Sequence, residues 1–304
     1  MSGPPTVARR GRLRRIGAAL AVLLAVAGYG AVRYATGSRP APRCAVAAAH
    51  GGAAFVFTSE QAVNAATISA VGTSRGMPER AVTIALATAL QESGLRNVRH
   101  GDRDSLGLFQ QRPSAGWGTA RQIMDPAYAA GQFYARLAEV PGYARLPLTA
   151  AAQRVQRSGF PQAYAKHEPD AALLAAALTG RAAASLTCEG GPAAAGAERP
   201  RGGPAGVRAA LVRDFGRAAA PPPGGGRSVR VPVPAARDLA AGGERRRGWE
   251  LAQWAVANAS ALRIERVSYA GREWTAGQSG QGWHGAGGSG VAQAVAEVRI
   301  ATGQ

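Results

Sequence analysis

Small and apolar residues recur at helical spacing between about Met77 and Leu95, and they form one stripe that ends in a carboxylate. The members of this stripe are Ala81, Ala85, Thr88, Ala89 and Glu92. Pro78 fits the first turn of such a helix, and Gly94 fits its C-terminal end. Because residues three and four apart share one helix face, Glu92 is expected to be partly buried.

The surroundings of Glu92 should disfavour its ionised form. Burial removes water from the carboxylate, and the C-terminal end of a helix presents the negative end of its dipole. A carboxyl group that keeps its proton near neutral pH can act as a general acid. Glu92 is therefore a candidate catalytic residue, although a single glutamate on an alanine-rich helix is more often a solvated surface residue.

The other hydrophobic patterns predict a mainly helical region followed by a small α+β region. Thr58-Ser59-Glu60-Gln61 offers the chemistry of a helix start. Further helices are expected at 78–94, 126–139, 148–157, 169–186 and, more briefly, near Gly206–Phe215. The polar, glycine-rich segment 96–116 is expected to be a loop or hairpin. Near the C-terminus we expect a helix from Gly248 and strands at Ile264–Tyr269, Arg272–Thr275 and Val295–Ile300.

The N-terminus has the pattern of a targeting segment. Five arginines within residues 1–15 precede an uncharged run from Ile16 to Val32. The run is at the short end of what spans a bilayer, and the arginines belong on the inner side. We therefore expect a transmembrane anchor with all later residues outside the cytoplasm, in a single-pass membrane protein. The alternative is a cleaved signal peptide and a secreted protein, because Ala25-Val26-Ala27 resembles a cleavage site.

The charge balance is strongly basic, with a formal net charge of +18 and a pI of about 11.4. Such a balance usually indicates an anionic partner. An extracytoplasmic location and the lack of an aromatic–basic binding motif argue against nucleic acid. Anionic wall polymers and the cytoplasmic membrane are the candidate partners instead.

The two cysteines, Cys44 and Cys188, flank the mainly helical region. Outside the cell, an even and flanking pair predicts a disulfide. Two unrelated free thiols are the alternative. A metal site is not expected, because neither cysteine has a second ligand at close spacing.

Several short motifs follow Glu92-Ser93 in a fixed order. They are Ser105-Leu106-Gly107-Leu108-Phe109-Gln110, Asp125-Pro126 and Ala130-Gly131. Together they resemble the lysozyme-like domain of soluble lytic transglycosylases and goose-type lysozymes over about residues 55–187. The segment 156–159 reads Gln-Arg-Ser-Gly where those enzymes usually carry Tyr-Asn-x-Gly.

This resemblance implies an enzyme that acts on peptidoglycan glycan strands, at the β-1,4 bond between N-acetylmuramic acid and N-acetylglucosamine. Glu92 would protonate the glycosidic oxygen, with Ser105 orienting it. A transglycosylase needs only this carboxylate, whereas an inverting lysozyme needs a second one to hold a water, and Asp102 and Asp104 are the candidates. The implied substrate-binding residues are Gln110, Trp117, Gln156 and Tyr164, although aromatic residues at these spacings are more often core.

The C-terminal region carries a second resemblance. Trp254…Asn258-Ala259 and Gly271-Arg272-Glu273-Trp274 are similar to a domain of secreted actinobacterial wall proteins, whose relatives look like zinc D,D-carboxypeptidases. Glu297 and Arg299 stand where that resemblance implies histidine ligands. Asp238 and His284 are the remaining ligand candidates, and they do not complete a zinc site. We therefore expect no metal or other cofactor here, and either a docking module or a small packing domain.

The expected fold class is multidomain, with an N-terminal transmembrane helix, a mainly-α lysozyme-like domain and a small α+β C-terminal domain. The expected segments are a basic cytoplasmic segment 1–15, an anchor or signal 16–32, a tether 33–52, the lysozyme-like domain 53–190, a Pro/Gly/Ala-rich linker 191–236 and the C-terminal domain 237–304. The alternative to an enzyme is an inactive envelope protein that binds glycan or a partner through the same groove.

Overall fold

The structure is a computed structural model that describes residues 25–29, 43–48, 54–157, 161–189, 202–222, 224, 226–234, 243–286 and 293–303. Residues 42–304 form one compact unit, and residues 1–41 form another.

The predicted N-terminal transmembrane helix is corrected by the structure. Residues 25–29 are helical. The rest of the predicted anchor, residues 16–24 and 30–32, lies outside the described residues. Within the described part of the chain, no helix is long and apolar enough to cross a membrane. The expectation of a single-pass membrane protein is therefore not supported within the described residues.

The described helices begin and end close to the predicted positions in the first part of the chain, except that the helix predicted at 169–186 ends at Leu178 and Leu186 begins a strand. They are α1 (Ser59–Ser74), α2 (Glu79–Ser93), α3 (Ala120–Ile123), α4 (Pro126–Ala138), α5 (Leu148–Gln156), α6 (Glu168–Leu178), α7 (Pro204–Phe215), α8 (Gly243–Ala257), α9 (Ala259–Leu262) and α10 (Gln293–Ala296). The described strands are β1 (Arg43–Val46), β2 (Phe55–Thr58), β3 (Leu186–Cys188), β4 (Ser228–Pro232), β5 (Ile264–Tyr269), β6 (Arg272–Thr275), β7 (His284–Gly285) and β8 (Glu297–Thr302).

Local chemistry sets the ends of the two central helices. Thr58 and Gln61 form a reciprocal capping box that starts α1, as the sequence predicts. Helix α2 starts after Pro78 and ends at Gly94, whose φ of 62° is the left-handed conformation that glycine adopts without strain. These ends place Glu92 in the last turn of α2.

A small antiparallel sheet with strand order β2-β1-β3 holds both ends of the helical region. Its register puts Cys44 directly opposite Cys188. The two residues form a disulfide, with 3.9 Å between their Cα atoms, and they are 144 positions apart in sequence. The predicted disulfide is therefore confirmed.

The C-terminal residues build a five-stranded antiparallel sheet with order β4-β8-β5-β6-β7. Strands β5 and β6 join at Ala270-Gly271, both with positive φ, which is the conformation of a two-residue type I′ hairpin turn. The last strand begins at Glu297 rather than Val295, because residues 293–296 form a helical turn first.

Helix α8 connects this sheet to the first part of the molecule. Its Gln253 is fully buried; the side-chain oxygen accepts hydrogen bonds from Ser185 and Leu186, and its nitrogen donates to the carbonyl oxygens of Ala177 and Ala182. Asp214, at the end of α7, accepts hydrogen bonds from Thr67 in α1 and from the Trp254 indole in α8. A single hydrophobic core therefore runs through residues on both sides of the segment 191–236.

Candidate functional site

Glu92 lies partly buried in the last turn of α2. Its Oε1 accepts a hydrogen bond of 2.7 Å from the hydroxyl of Tyr164, a side chain that is fully buried. Tyr164 belongs to the 3-10 segment Pro161–His167, which leads into α6. Helix α2 packs against both α6 and this segment, so the tertiary fold holds the tyrosine over the carboxyl group.

The pKa of Glu92 is raised from its ordinary value of 4.5, because burial penalises the charged form. Hydrogen bonds from Tyr164 and Gln156 act in the opposite direction, since they favour the carboxylate, and they offset part of the effect. The side chain thus combines a tendency to keep its proton with donors that can stabilise the charge once the proton has left. A general acid requires both properties.

Gln156 ends α5 beside the same carboxyl group. Its Nε2 donates a 2.7 Å hydrogen bond to the carbonyl oxygen of Phe109. An amide nitrogen carries two hydrogens, so it can bond to Phe109 and to Glu92 together. Two of the predicted substrate-binding residues, Gln156 and Tyr164, are therefore brought to Glu92 itself.

The expected hairpin follows α2 and is tied to its end. Leu106 and Gln111 form an antiparallel bridge, and the Ser93 hydroxyl donates to the carbonyl oxygen of Leu108 at 2.8 Å. Gln111, which is buried, anchors the hairpin to α4 by donating to the Ala129 carbonyl oxygen. The motif from Ser105 to Gln110 thus forms a rigid turn beside Glu92-Ser93.

Ser105, which was predicted to orient Glu92, makes no hydrogen bond to it among the described residues, and the sugar-binding role of Gln110 stays a prediction. Ser105 is buried. The side chain of Gln110 folds back to donate to the Gly107 carbonyl oxygen at 3.1 Å. Its Oε1 packs so closely on Gly101 that a Cβ there would overlap it. Among the described residues, Glu92 receives its hydrogen bonds from Tyr164 and Gln156 and from neither of these two.

The two predicted second carboxylates are placed differently from each other. Asp104 accepts hydrogen bonds from the Arg112 guanidinium at 2.8 Å and from the Ser114 backbone at 2.8 Å. These bonds hold the pKa of Asp104 well below its usual range. Asp104 is therefore ionised, and it links the two sides of the loop through Arg112 and Ser114. The Asp102 side chain is 91% exposed, and its ion-pair partner Arg103 is 3.9 Å away.

Trp117 is buried, and the Arg136 guanidinium lies 3.4 Å from its ring centroid. This cation–π contact covers one face of the ring, and burial leaves little of the side chain exposed. Tyr164, the other aromatic candidate, uses its hydroxyl on Glu92. Neither residue therefore presents the stacking platform that the sequence suggested.

The sequence did not single out His167, whose Nε2 lies 3.2 Å from Oε1 of Gln91, the residue before Glu92. Burial lowers the pKa of His167 and favours the neutral ring. The sequence also suggested sugar stacking for Tyr164 and gave no sign of its hydrogen bond to Glu92. The two residues are 72 positions apart in the chain, and no spacing rule connects positions so distant.

The histidine positions expected of a zinc site hold an ion pair in the C-terminal sheet. Arg299 pairs with Glu297 at 2.6 Å on β8, and His284 lies opposite Glu273 in the β6–β7 register. Asp238 lies outside the described residues. Within the described ranges, no group of three or more His, Cys, Asp and Glu side chains could hold a metal ion.

Comparison with known proteins identifies one similar family. Residues 224–295 match the family model of the VldE C-terminal domain. No curated protein matches the chain. The match covers β4 to β7 and α8, and it does not extend to the residues around Glu92.

Proposed function

We propose that this chain cleaves the β-1,4 bond between N-acetylmuramic acid and N-acetylglucosamine in peptidoglycan, with Glu92 as the general acid. One observation carries the proposal: a partly buried carboxyl group with a raised pKa ends a helix and accepts a hydrogen bond from a fully buried tyrosine. The ordered motifs that resemble lytic transglycosylases and goose-type lysozymes support it and supply the substrate.

In the proposed reaction, Glu92 donates its proton to the glycosidic oxygen as the bond to the muramoyl C1 breaks. Tyr164 keeps the carboxyl group in one orientation and stabilises the carboxylate that results. The carboxylate then accepts the proton of the muramoyl 6-hydroxyl while that oxygen attacks C1. The product is a 1,6-anhydro sugar, and no second carboxylate takes part.

The surroundings of Asp102 and Asp104 favour this route over hydrolysis. An inverting hydrolase needs a carboxylate free to activate a water, at roughly 6.5–9.5 Å from the acid. Asp104 is occupied by Arg112 and Ser114, and the low pKa that they give it makes it a weak base. Asp102 is exposed to solvent on the loop.

A second candidate function is glycan binding without cleavage. It is favoured by one observation, that Gln156 stands where the resembling enzymes carry tyrosine and that its amide is bonded to the Phe109 carbonyl oxygen. The residues around Glu92 could then bind a glycan strand without completing the reaction.

Digestion of purified sacculi by the full chain, with mass analysis of the released fragments, tests both proposals. Wild type should release 1,6-anhydro muropeptides, and Glu92→Gln should lower the rate by a factor of about 100 or more, because the amide cannot deliver a proton. Glu139→Gln is the matched control, since Glu139 is an exposed carboxylate at the C-terminal end of α4.

Each other outcome has a definite meaning. Unchanged turnover in Glu92→Gln would refute the catalytic assignment. Reducing-end products would show hydrolysis in place of transglycosylation. Binding of wild type to sacculi without release of any fragment would favour the binding function.

A further inference from the structure

A pocket of about 490 Å³ opens at one end of the five-stranded sheet. Its lining comes from the residue before β4, from the neighbouring strands β8, β5 and β6, and from the start of the 3-10 segment Ala276–Gln281. The lining residues are Arg227, Glu265, Arg266, Thr275, Gly277 and Thr302, together with two alanines. The volume lies within the range of small-ligand sites, and none of these residues takes part in the Glu92 site.

A β-bulge brings two opposite charges into this pocket. Ile264 pairs with Thr302 and Arg266 pairs with Ala301, so Glu265 is one residue extra on β5. Consecutive residues of a regular strand face opposite sides, whereas Glu265 and Arg266 both line the same opening and are both exposed. Bulges re-aim side chains in this way, and they are over-represented beside functional sites.

Arg227 is held in place at the pocket edge. Its backbone oxygen accepts from both the nitrogen and the hydroxyl of Thr302, and its Nε donates back to the Thr302 carbonyl oxygen at 3.3 Å. Among the described residues, the Nη atoms make no hydrogen bond. They remain available as a fork of donors, which suits a carboxylate.

Glu265 also keeps its capacity to accept hydrogen bonds. Its nearest cation is the Arg227 Nη2 at 3.6 Å, which is an ion-pair distance but too long for a hydrogen bond. The carboxylate lies against the backbone of Gly303, where a Cβ would come within 2.6 Å of Oε1. The pocket lining thus has two guanidinium groups and one carboxylate side by side. The Nε of Arg266 also pairs with Glu273 of β6 at 3.4 Å, and the Arg266 side chain is 57% exposed.

We propose that this pocket binds an amino acid or the end of a short peptide, with the ligand carboxylate on Arg227 and Arg266 and the ligand ammonium on Glu265. The ligand is zwitterionic because the pocket offers both charges side by side. The proposal does not rest on the activity assigned to Glu92.

Titration calorimetry of the full chain with four probes tests each charge of the ligand separately. Glycylglycine should bind, and both glycylglycinamide, which lacks the carboxylate, and N-acetylglycylglycine, which lacks the ammonium, should bind about tenfold more weakly or worse. Inorganic phosphate should also bind more weakly than glycylglycine. Failure of glycylglycine to bind at millimolar concentration would overturn the proposal, as would equal binding of any other probe.

Variants then assign the two ends of the ligand. Arg227→Met should weaken glycylglycine binding about tenfold, whereas Arg230→Met should leave it unchanged, because Arg230 lies on β4 opposite Arg299 and outside the pocket. Glu265→Gln should remove the difference between glycylglycine and its N-acetyl form. A difference that survives in Glu265→Gln would contradict the assigned orientation, and the probe series on wild type stands even if a variant fails to fold.

Discussion

Loss of the disulfide between Cys44 and Cys188 should lower the free energy of unfolding by about 5 kcal/mol at 25 °C. The bond closes a loop of 144 positions, and the chain-entropy relation for a loop of that length gives about 17 cal/mol/K, or about 5 kcal/mol. The loop contains every residue of the Glu92 site. The stabilisation acts on the unfolded chain, so the native contacts of Glu92 should remain unchanged.

The assay is equilibrium unfolding in urea, followed by tryptophan fluorescence, for oxidised wild type, reduced wild type and the Cys44→Ser/Cys188→Ser double variant. With a slope of about 3 kcal/mol/M, a loss of about 5 kcal/mol moves the midpoint by roughly 1.7 M. Reduced wild type and the double variant should unfold at similar urea concentrations, because both lack the same bond.

Two results would refute this reasoning. A midpoint that hardly moves on reduction would show that the unfolded chain is not constrained by the bond. A double variant much less stable than reduced wild type would show that the side chains matter through packing in the β1–β3 sheet rather than through the covalent link.

Three further predictions concern the site and the core. Tyr164→Phe removes a hydrogen bond that favours the carboxylate, so the pKa of Glu92 should rise further and the alkaline limb of the pH–rate profile should move to higher pH; an unmoved limb would remove Tyr164 from the mechanism. Because the folded-state pKa of Glu92 is raised above 4.5, the wild type loses stability as the pH rises from about 4.5 through the raised pKa of Glu92. In thermal unfolding, the Tm of Glu92→Gln should therefore rise relative to the Tm of wild type between acidic and neutral pH. A Tm difference that is constant with pH would contradict the raised pKa. Gly180→Ala should destabilise by about 2 kcal/mol more than Gly142→Ala in urea unfolding, since both glycines have positive φ but only a Cβ at Gly180 would overlap the Arg246 backbone of α8; equal losses would show that this close contact is not tight.

Features with local causes could be predicted from the sequence. The capping box at Thr58, the end of α2 at Gly94, the hairpin after Glu92 and the turn at Ala270-Gly271 each depend on residues within a few positions of one another. The disulfide was predictable for a different reason, because only two cysteines are present. The N-terminal apolar run predicted a membrane-spanning helix, whereas no helix in the described part of the chain is long and apolar enough to cross a membrane.

Partner choice inside the folded chain was decided by the tertiary structure alone. The sequence marked Glu92 as a partly buried acid, but only the packing of α2 against residues 161–167 showed that Tyr164 donates to it. Asp104 looked like a possible base until Arg112 and Ser114 were seen to occupy it. Propensity and periodicity report on neighbours along the chain, whereas these hydrogen bonds join residues that only long-range packing brings together, and burial and pKa follow from that packing.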